Sequence, residues 1–338
     1  VPEHVNHRMV IDGFLNLYEP IGHKPMQGDF PNIKKLVSHI FGEQYELGMD
    51  YLQLLYLRPV QKLPILLLVS EERNTGKTTF LNFLKALFQD NVTFNTNEDF
   101  RSQFNSDWAG KLLIVVDEVL LSRREDSERL KNLSTTLSYK VEAKGKDRNE
   151  ISFFAKFVLC SNNESLPVII DEGETRYWVR KISSLQSDDT DFLEKLKAEI
   201  PAFLFHLQGR TLSTEHKSRM WFAPEQIATD ALRRIIRCNR NRLEVEMSEL
   251  FLEVMENTQT DSLQFCLNDA IALLQCNHVK AEKHLVRKIV QDCWKLQPSE
   301  NALTYTSYEY NYNSSGHYSP TKRVGRFYTV TMDKLNSI

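Results

Sequence analysis

PILLLVSEERNTGKTTFLNFLKALF, residues 64–88, changes structural period partway along. Pro64–Ser70 is a short apolar run that ends in a turn, as a buried strand does. Lys77 to about Phe88 carries helical spacing. Between them lies SEERNTGKTT, Ser70–Thr79. A turn that leads from a strand into a helix directs backbone N–H groups and the positive helix end at whatever sits above it, and phosphate fits that field. Gly76 allows close backbone approach, Lys77 reaches outer phosphates, and the Thr78 hydroxyl suits a magnesium ion. Asn74, Thr75, Gly76, Lys77, Thr78 and Thr79 are therefore the candidate nucleotide-binding residues. Glu71 stands where the pattern G-x-x-x-x-G-K-[ST] has its first glycine. A chance GKT at a helix start is the plain alternative, and the flanking strand and helix argue against it.

Two further apolar runs follow. KLLIVVDEV (Lys111–Val119) places Asp117 and Glu118 where a buried strand emerges. Asp117 is the second candidate magnesium ligand, and Glu118 is placed to polarise an attacking water as general base. FAKFVLCSNN (Phe154–Asn163) ends in asparagines, of which Asn162 is the candidate to hydrogen-bond that water or a γ-phosphate. Apolar runs separated by helices predict a parallel sheet covered on both faces, hence an α/β core.

Working outward, residues 63–209 form this expected ATPase core, with a helix over 191–209. Residues 31–62 form a helical region (Ile33, Leu36, Val37, Ile40, Leu47, Tyr51, Leu54, Leu55), closed by Pro59 and Pro64. Residues 1–30, with Pro2, Pro20 and Pro25, read as a linker, and Val1 in place of an initiator Met as a sign of a longer parent protein. Residues 210–244 read as a basic helical linker. Residues 245–338 read as a smaller unit: helices near 246–256, 262–274 and 279–294, then GRFYTVTM alternating like a strand, the order of a winged helix.

The chain has 338 residues, 41% hydrophobic and 26% charged, with 42 Lys+Arg against 45 Asp+Glu and a net charge of −3. Such a balance gives no global pull on nucleic acid, so any such site must be a local patch. Five scattered cysteines without a C-x-x-C pair argue against a disulfide framework and for a reducing, cytoplasmic setting. Cys276 and His278 are too few ligands for zinc. No run reaches membrane-spanning length, and no export signal opens the chain.

The order of phosphate loop, strand ending in DE, Lys-bearing loop, strand ending in Asn and then an Arg resembles the superfamily 3 helicases. The primase-helicases of phages, plasmids and integrated mobile elements look closest. YLQLLYLRPVQKLPILLLVSEERNTGKTTF is similar to their lead-in, and the likeness covers about residues 30–182 well. Glu71 departs from the loop pattern. The resemblance implies an AAA+ core, ATP and Mg2+ as cofactors, a homo-hexameric ring on single-stranded or forked DNA, 3′ to 5′ movement, and any primase upstream. It makes Lys77, Glu118 and Asn162 catalytic. It also implies an arginine finger acting on the neighbouring subunit's γ-phosphate, with Arg176 fitting that position better than Arg180. The segment LSYKVEAKGKDRNEIS matches the family's DNA-gripping hairpin, with Lys140, Lys144, Lys146 and Arg148 around Gly145. A basic turn of this kind meets backbone phosphates without reading sequence. In the C-terminal unit Lys280, Lys283 and Arg287 are spaced to share a helix face, a second candidate DNA contact, to which Lys322, Arg323 and Arg326 of a wing could add. Three other readings remain: an AAA+ ATPase that remodels or loads a protein, a viral-type RNA helicase, and a scaffold with a degenerate nucleotide site.

Overall fold

The computed structural model describes residues 1–16, 18–99, 108, 110–141, 149–171, 173–185, 189–311 and 317–336. By internal contacts the chain divides into two units, Val1–Asn239 and Arg240–Ile338.

In the first unit a small antiparallel pair, β1 (Val10–Ile11) and β2 (Phe14–Leu15), precedes α1 (Pro31–Phe41) and α2 (Tyr45–Leu57). Then come β3 (Ile65–Val69), α3 (Lys77–Phe88), β4 (Val92–Asn95), β5 (Leu113–Val116) and α4 (Arg124–Thr135). An antiparallel hairpin, β6 (Ser138–Val141) with β7 (Asn149–Ser152), interrupts the α/β alternation. β8 (Lys156–Ser161), β9 (Tyr177–Lys181), α5 (Phe192–Gly209) and α6 (Pro224–Ile227) complete the sequence up to α7 (Asp230–Thr258).

Five strands form one sheet in the order β4-β5-β8-β3-β9, every neighbouring pair parallel. The unbroken apolar reading of Pro64–Val69 now has its cause. Leu66 and Leu68 pack into a core with α1, α2, α3 and α5, while Ile65, Leu67 and Val69 pack on the other face with Leu130, Leu133, Leu232 and Ile235. A strand buried on both faces has no polar face to alternate with. Leu113 and Val115 against Ile114 and Val116 repeat the division on β5. This is the α/β P-loop architecture expected from the sequence, with its helical region in front of the first sheet strand. Trp221, Phe222 and Ile227 are buried in the first core, and the fully buried Asp50 of α2 accepts hydrogen bonds from Arg210, Ser213 and Thr214.

The second unit holds the C-terminal part of α7, then β10 (Ser262–Phe265), α8 (Leu267–Cys276), α9 (Lys283–Lys288) continued by a π-turn over Ile289–Cys293, β11 (Leu303–Asn311), β12 (His317–Gly325), β13 (Tyr328–Thr331) and α10 (Met332–Asn336). Helix, strand, two helices and a β11–β12 hairpin make the winged-helix order, around a core that includes Phe251, Phe265, Leu274, Val286, Val290 and Trp294. The expected helix over 262–274 starts at Leu267, because Ser262–Phe265 pairs with β13 through Leu263↔Val330 and Phe265↔Tyr328. The preference for helix is overridden by burial of Leu263 and Phe265 against that strand. The expected helix over 279–294 begins at Lys283, which leaves Lys280 in the preceding turn. His278 adopts a left-handed φ of 60° just past α8, a conformation common where a helix ends.

Candidate active site

The parallel sheet brings three strand ends side by side. β3 runs into the phosphate loop, β8 lies beside β3, and β5 lies beside β8, so residues 70–79, 117–118 and 162 meet at one carboxyl edge. Ligands of open α/β sheets bind outside that edge.

The loop is shaped by two left-handed residues, Asn74 (φ 52°) and Gly76 (φ 78°), and Gly76 caps α3 directly. At that φ a β-carbon is strained, so glycine suits the closest approach of backbone to ligand. Neighbours hold the loop from both sides. His39 of α1 hydrogen-bonds the Thr75 carbonyl through Nε2 (3.0 Å), and the Leu185 N–H donates to the Asn74 carbonyl (2.9 Å). Lys77 is buried, and among the described residues its ammonium donates to Thr75 Oγ1 (3.1 Å). Burial pulls its pKa below the ordinary lysine value, against the raising influence of charge at Cys160, Asp117, Glu164 and Glu118. A buried cation bonded to a neutral hydroxyl suits an anionic ligand: phosphate can restore what burial takes away.

Thr78 Oγ1 donates to Asp117 Oδ2 at 2.8 Å. These two hard oxygen donors, one in the first turn of α3 and one just past β5, fit a magnesium ion that takes its remaining ligands from phosphate and water. Among the described residues no three His, Cys, Asp or Glu side chains are gathered to hold a metal by themselves. Glu118 is exposed and carries a left-handed backbone, φ 60°. Asn162 Nδ2 donates to its carboxylate at 3.3 Å.

Sequence reasoning missed the residue that holds this strained glutamate. Asn97, two residues past β4, donates from Nδ2 to the Glu118 carbonyl (3.1 Å) and accepts from the Leu120 N–H through Oδ1 (2.9 Å). Next to it, Val119 N–H donates to the Cys160 carbonyl (2.7 Å) and Ser161 Oγ to the Val119 carbonyl (2.8 Å). Asn97 lies in a polar stretch that gave no pattern; a short strand beside the DE strand was its only available signal.

The two arginine candidates part company. Arg180 is buried and spoken for, with Nη1 and Nη2 on the Glu43 carboxylate (2.6 and 3.2 Å) and Nη1 on Gln44 Oε1 (3.0 Å). Arg176 is partly exposed, with Nη1 3.5 Å from the Glu174 carboxylate. It lies one residue before β9, opposite the start of β3, where its carbonyl accepts from Ile65 N–H (2.8 Å). Five residues of strand, roughly 16 Å, separate that edge from the phosphate loop of the same chain.

The stem of the basic hairpin is present in the register Ser138↔Ser152 to Val141↔Asn149, with Lys140 opposite Glu150. Lys144, Lys146 and Arg148 lie outside the described residues. In the second unit Lys283 and Arg287 are exposed one turn apart on α9, and Val286, Ile289 and Val290 face its core. Lys280 is exposed in the turn before them. Arg323 is engaged by the buried Asp269 (2.8 Å) and by Glu309 (2.6 Å), and Arg326 donates to the Ser299 carbonyl (2.8 Å). Among the described residues no helix is long and apolar enough to cross a membrane.

Residues 68–180 match a family of unknown function, DUF5906. No curated protein matches the chain. Among solved structures, the apo C-terminal region of NrS-1 aligns with 92% of this chain and 80% of its own at a TM-score of 0.59 and 17% identity. Its A form aligns with 97% of this chain and 84% of its own at 0.58 and 16%. At such identity the likeness is one of fold. A JCV helicase with a bound small molecule aligns with 68% of this chain and 65% of its own at 0.35 and 14%, too loosely to support an argument.

Proposed function

We propose that this chain is the ATP-driven motor of a ring-shaped DNA helicase. The observation that carries the proposal is the meeting of Lys77, the Thr78–Asp117 pair and the Glu118–Asn162 pair on three adjacent strand ends. Buried cation, oxygen ligand pair and water-facing carboxylate are the three elements that phosphoryl transfer to water requires.

In this reading the N–H groups of Asn74–Thr79 and the Lys77 ammonium bind the triphosphate. Thr78 and Asp117 would hold Mg2+, which when bound draws charge from the phosphate oxygens. Glu118 accepts a proton from the attacking water, and Asn162 fixes the carboxylate and the water relative to each other. Arg176, at the far sheet edge, cannot reach its own chain's nucleotide. It would serve a neighbour's, so the active site is completed between copies, which supports a homo-hexameric ring. In the same reading Lys140, Lys144, Lys146 and Arg148 would contact single-stranded or forked DNA, and Lys283 and Arg287 give the winged helix a second contact. The fold likeness to the NrS-1 C-terminal region is compatible with this reading.

ATP hydrolysis measured with and without single-stranded DNA tests it, beside Lys77→Ala and Lys144→Ala/Lys146→Ala. The expected result is DNA-stimulated turnover that Lys77→Ala abolishes and the double change reduces to its unstimulated level. Hydrolysis indifferent to DNA and to the hairpin lysines would overturn the helicase reading and leave an AAA+ ATPase that remodels a protein.

A further inference from the structure

Glu71 poses a physical problem: a carboxylate occupies the position at which this loop pattern has a glycine, at the entrance to a site read as binding a polyanion. The surrounding geometry answers it. Glu164, 3% exposed, lies two residues beyond Asn162. Its Oε1 accepts the Glu71 backbone N–H (3.1 Å), and its Oε2 accepts Lys181 Nζ (2.9 Å) and Arg234 Nη1 (2.9 Å). The other arm of the same guanidinium, Nη2, reaches Glu71 Oε1 at 3.4 Å. Burial alone would raise the Glu164 pKa; the Lys181 bond, the Glu71 N–H and the charges of Lys181 and Arg234 outweigh it and hold the group ionised.

Two carboxylates and two cations therefore form a neutral cluster at the loop entry: Glu71 and Glu164 follow β3 and β8, and Lys181 and Arg234 lie on β9 and α7. Glu164 takes the N–H at the loop entry, so that turn of backbone is fixed by protein rather than by phosphate. Arg234 alone among the four touches both carboxylates. We propose that Arg234 is a positioning residue that acts through Glu71, offsetting its charge at the entry of the phosphate loop, whose backbone Glu164 holds. The proposal rests on the reading of this loop as a nucleoside-triphosphate site. Removing Arg234 leaves Glu164 with Lys181 and its pairing intact, but leaves Glu71 without that counter-charge at the loop entry.

The test is equilibrium binding of Mg·ATP to the full chain and to Arg234→Ala, Glu71→Gln, the pair, and Lys77→Ala. Arg234→Ala is expected to weaken binding about tenfold at low ionic strength, the scale of one unit charge acting over several ångströms in a half-screened site. The loss should shrink with added salt as the exposed charge is screened. In the Glu71→Gln background the same change should cost no more than about twofold, because coupled charges are non-additive. If Arg234 merely held α7 in place, Glu71→Gln would not relieve the loss. That outcome, or unchanged binding by Arg234→Ala, overturns the inference while leaving the ATP site intact. If wild type binds no ATP, or Lys77→Ala binds it equally well, the phosphate-loop reading fails and this inference with it.

Discussion

In the proposed ATPase, Asn97→Ala is expected to separate binding of ATP from its turnover. Glu118 holds φ at 60°, a conformation that costs a non-glycine residue roughly 1–2 kcal/mol. Two bonds from the Asn97 side chain, 3.1 Å to the Glu118 carbonyl and 2.9 Å from the Leu120 N–H, bracket that residue. Each contributes about 0.5–1.5 kcal/mol net, so together they match the strain they oppose. Without them the strained backbone of Glu118 is disfavoured by about the strain itself. A strain of about 1.5–2 kcal/mol leaves on the order of one chain in ten to thirty correctly set. The proposed general base would then be misplaced most of the time, and kcat for DNA-stimulated ATP hydrolysis should fall about ten- to thirtyfold. KM should hold, because Lys77 and Thr78 make no contact with Asn97 among the hydrogen bonds of the described residues. Asn97→Asp keeps the acceptor for Leu120 N–H and loses the donor, so its loss should be smaller. The assay is steady-state hydrolysis over an ATP titration, with thermal unfolding to confirm an intact fold. A kcat within about twofold of wild type, or a KM rising in step with the loss, would refute the reasoning.

Three other outcomes follow from the geometry. Arg180→Ala should lower the unfolding free energy by roughly 2–3 kcal/mol, because a buried guanidinium and its bonds to Glu43 and Gln44 are removed; a midpoint unchanged in urea titration would contradict the buried assignment. Arg176→Ala should cost within about 1 kcal/mol of stability yet reduce turnover at least about a thousandfold. Mixing it with Lys77→Ala chains should recover some activity, and near-normal turnover by Arg176→Ala alone would remove the finger from this residue. His4 sets a pH dependence: burial above all, with help from the Lys156 and His7 charges, lowers its pKa from 6.5 to about 3. The unfolded chain then binds the proton more readily, so stability is full above about pH 6.5 and declines as pH falls towards 3, by about 2 kcal/mol at pH 5. Urea midpoints that stay flat between pH 7 and 5, or that fall equally in His4→Gln, would count against it.

Much of this protein was legible in one dimension because its chemistry sits where regular elements begin and end. A strand buried on both faces is apolar throughout, and the proposed phosphate, metal and base residues fall where β3, β5 and β8 end, so PILLLVS, GKTT, VVDE and CSNN carry their own addresses. The winged-helix order was readable for the same reason. Three-dimensional contact decided the rest. Ser262–Phe265 reads helical alone and becomes β10 because β13 offers a partner. The resemblance favours Arg176 over Arg180, but that Arg180 is buried on Glu43 and Gln44, some 136 residues earlier in the chain, is seen only in the fold. Asn97, Glu164 and Arg234 belong to no motif, since what they do depends on neighbours distant in sequence, Glu118, Glu71 and Lys181. Local pattern reports backbone periodicity and turn chemistry, which are properties of nearby residues. Support for a strained glutamate and compensation of a misplaced charge come from strand order and helix packing, and these exist only once the chain has folded.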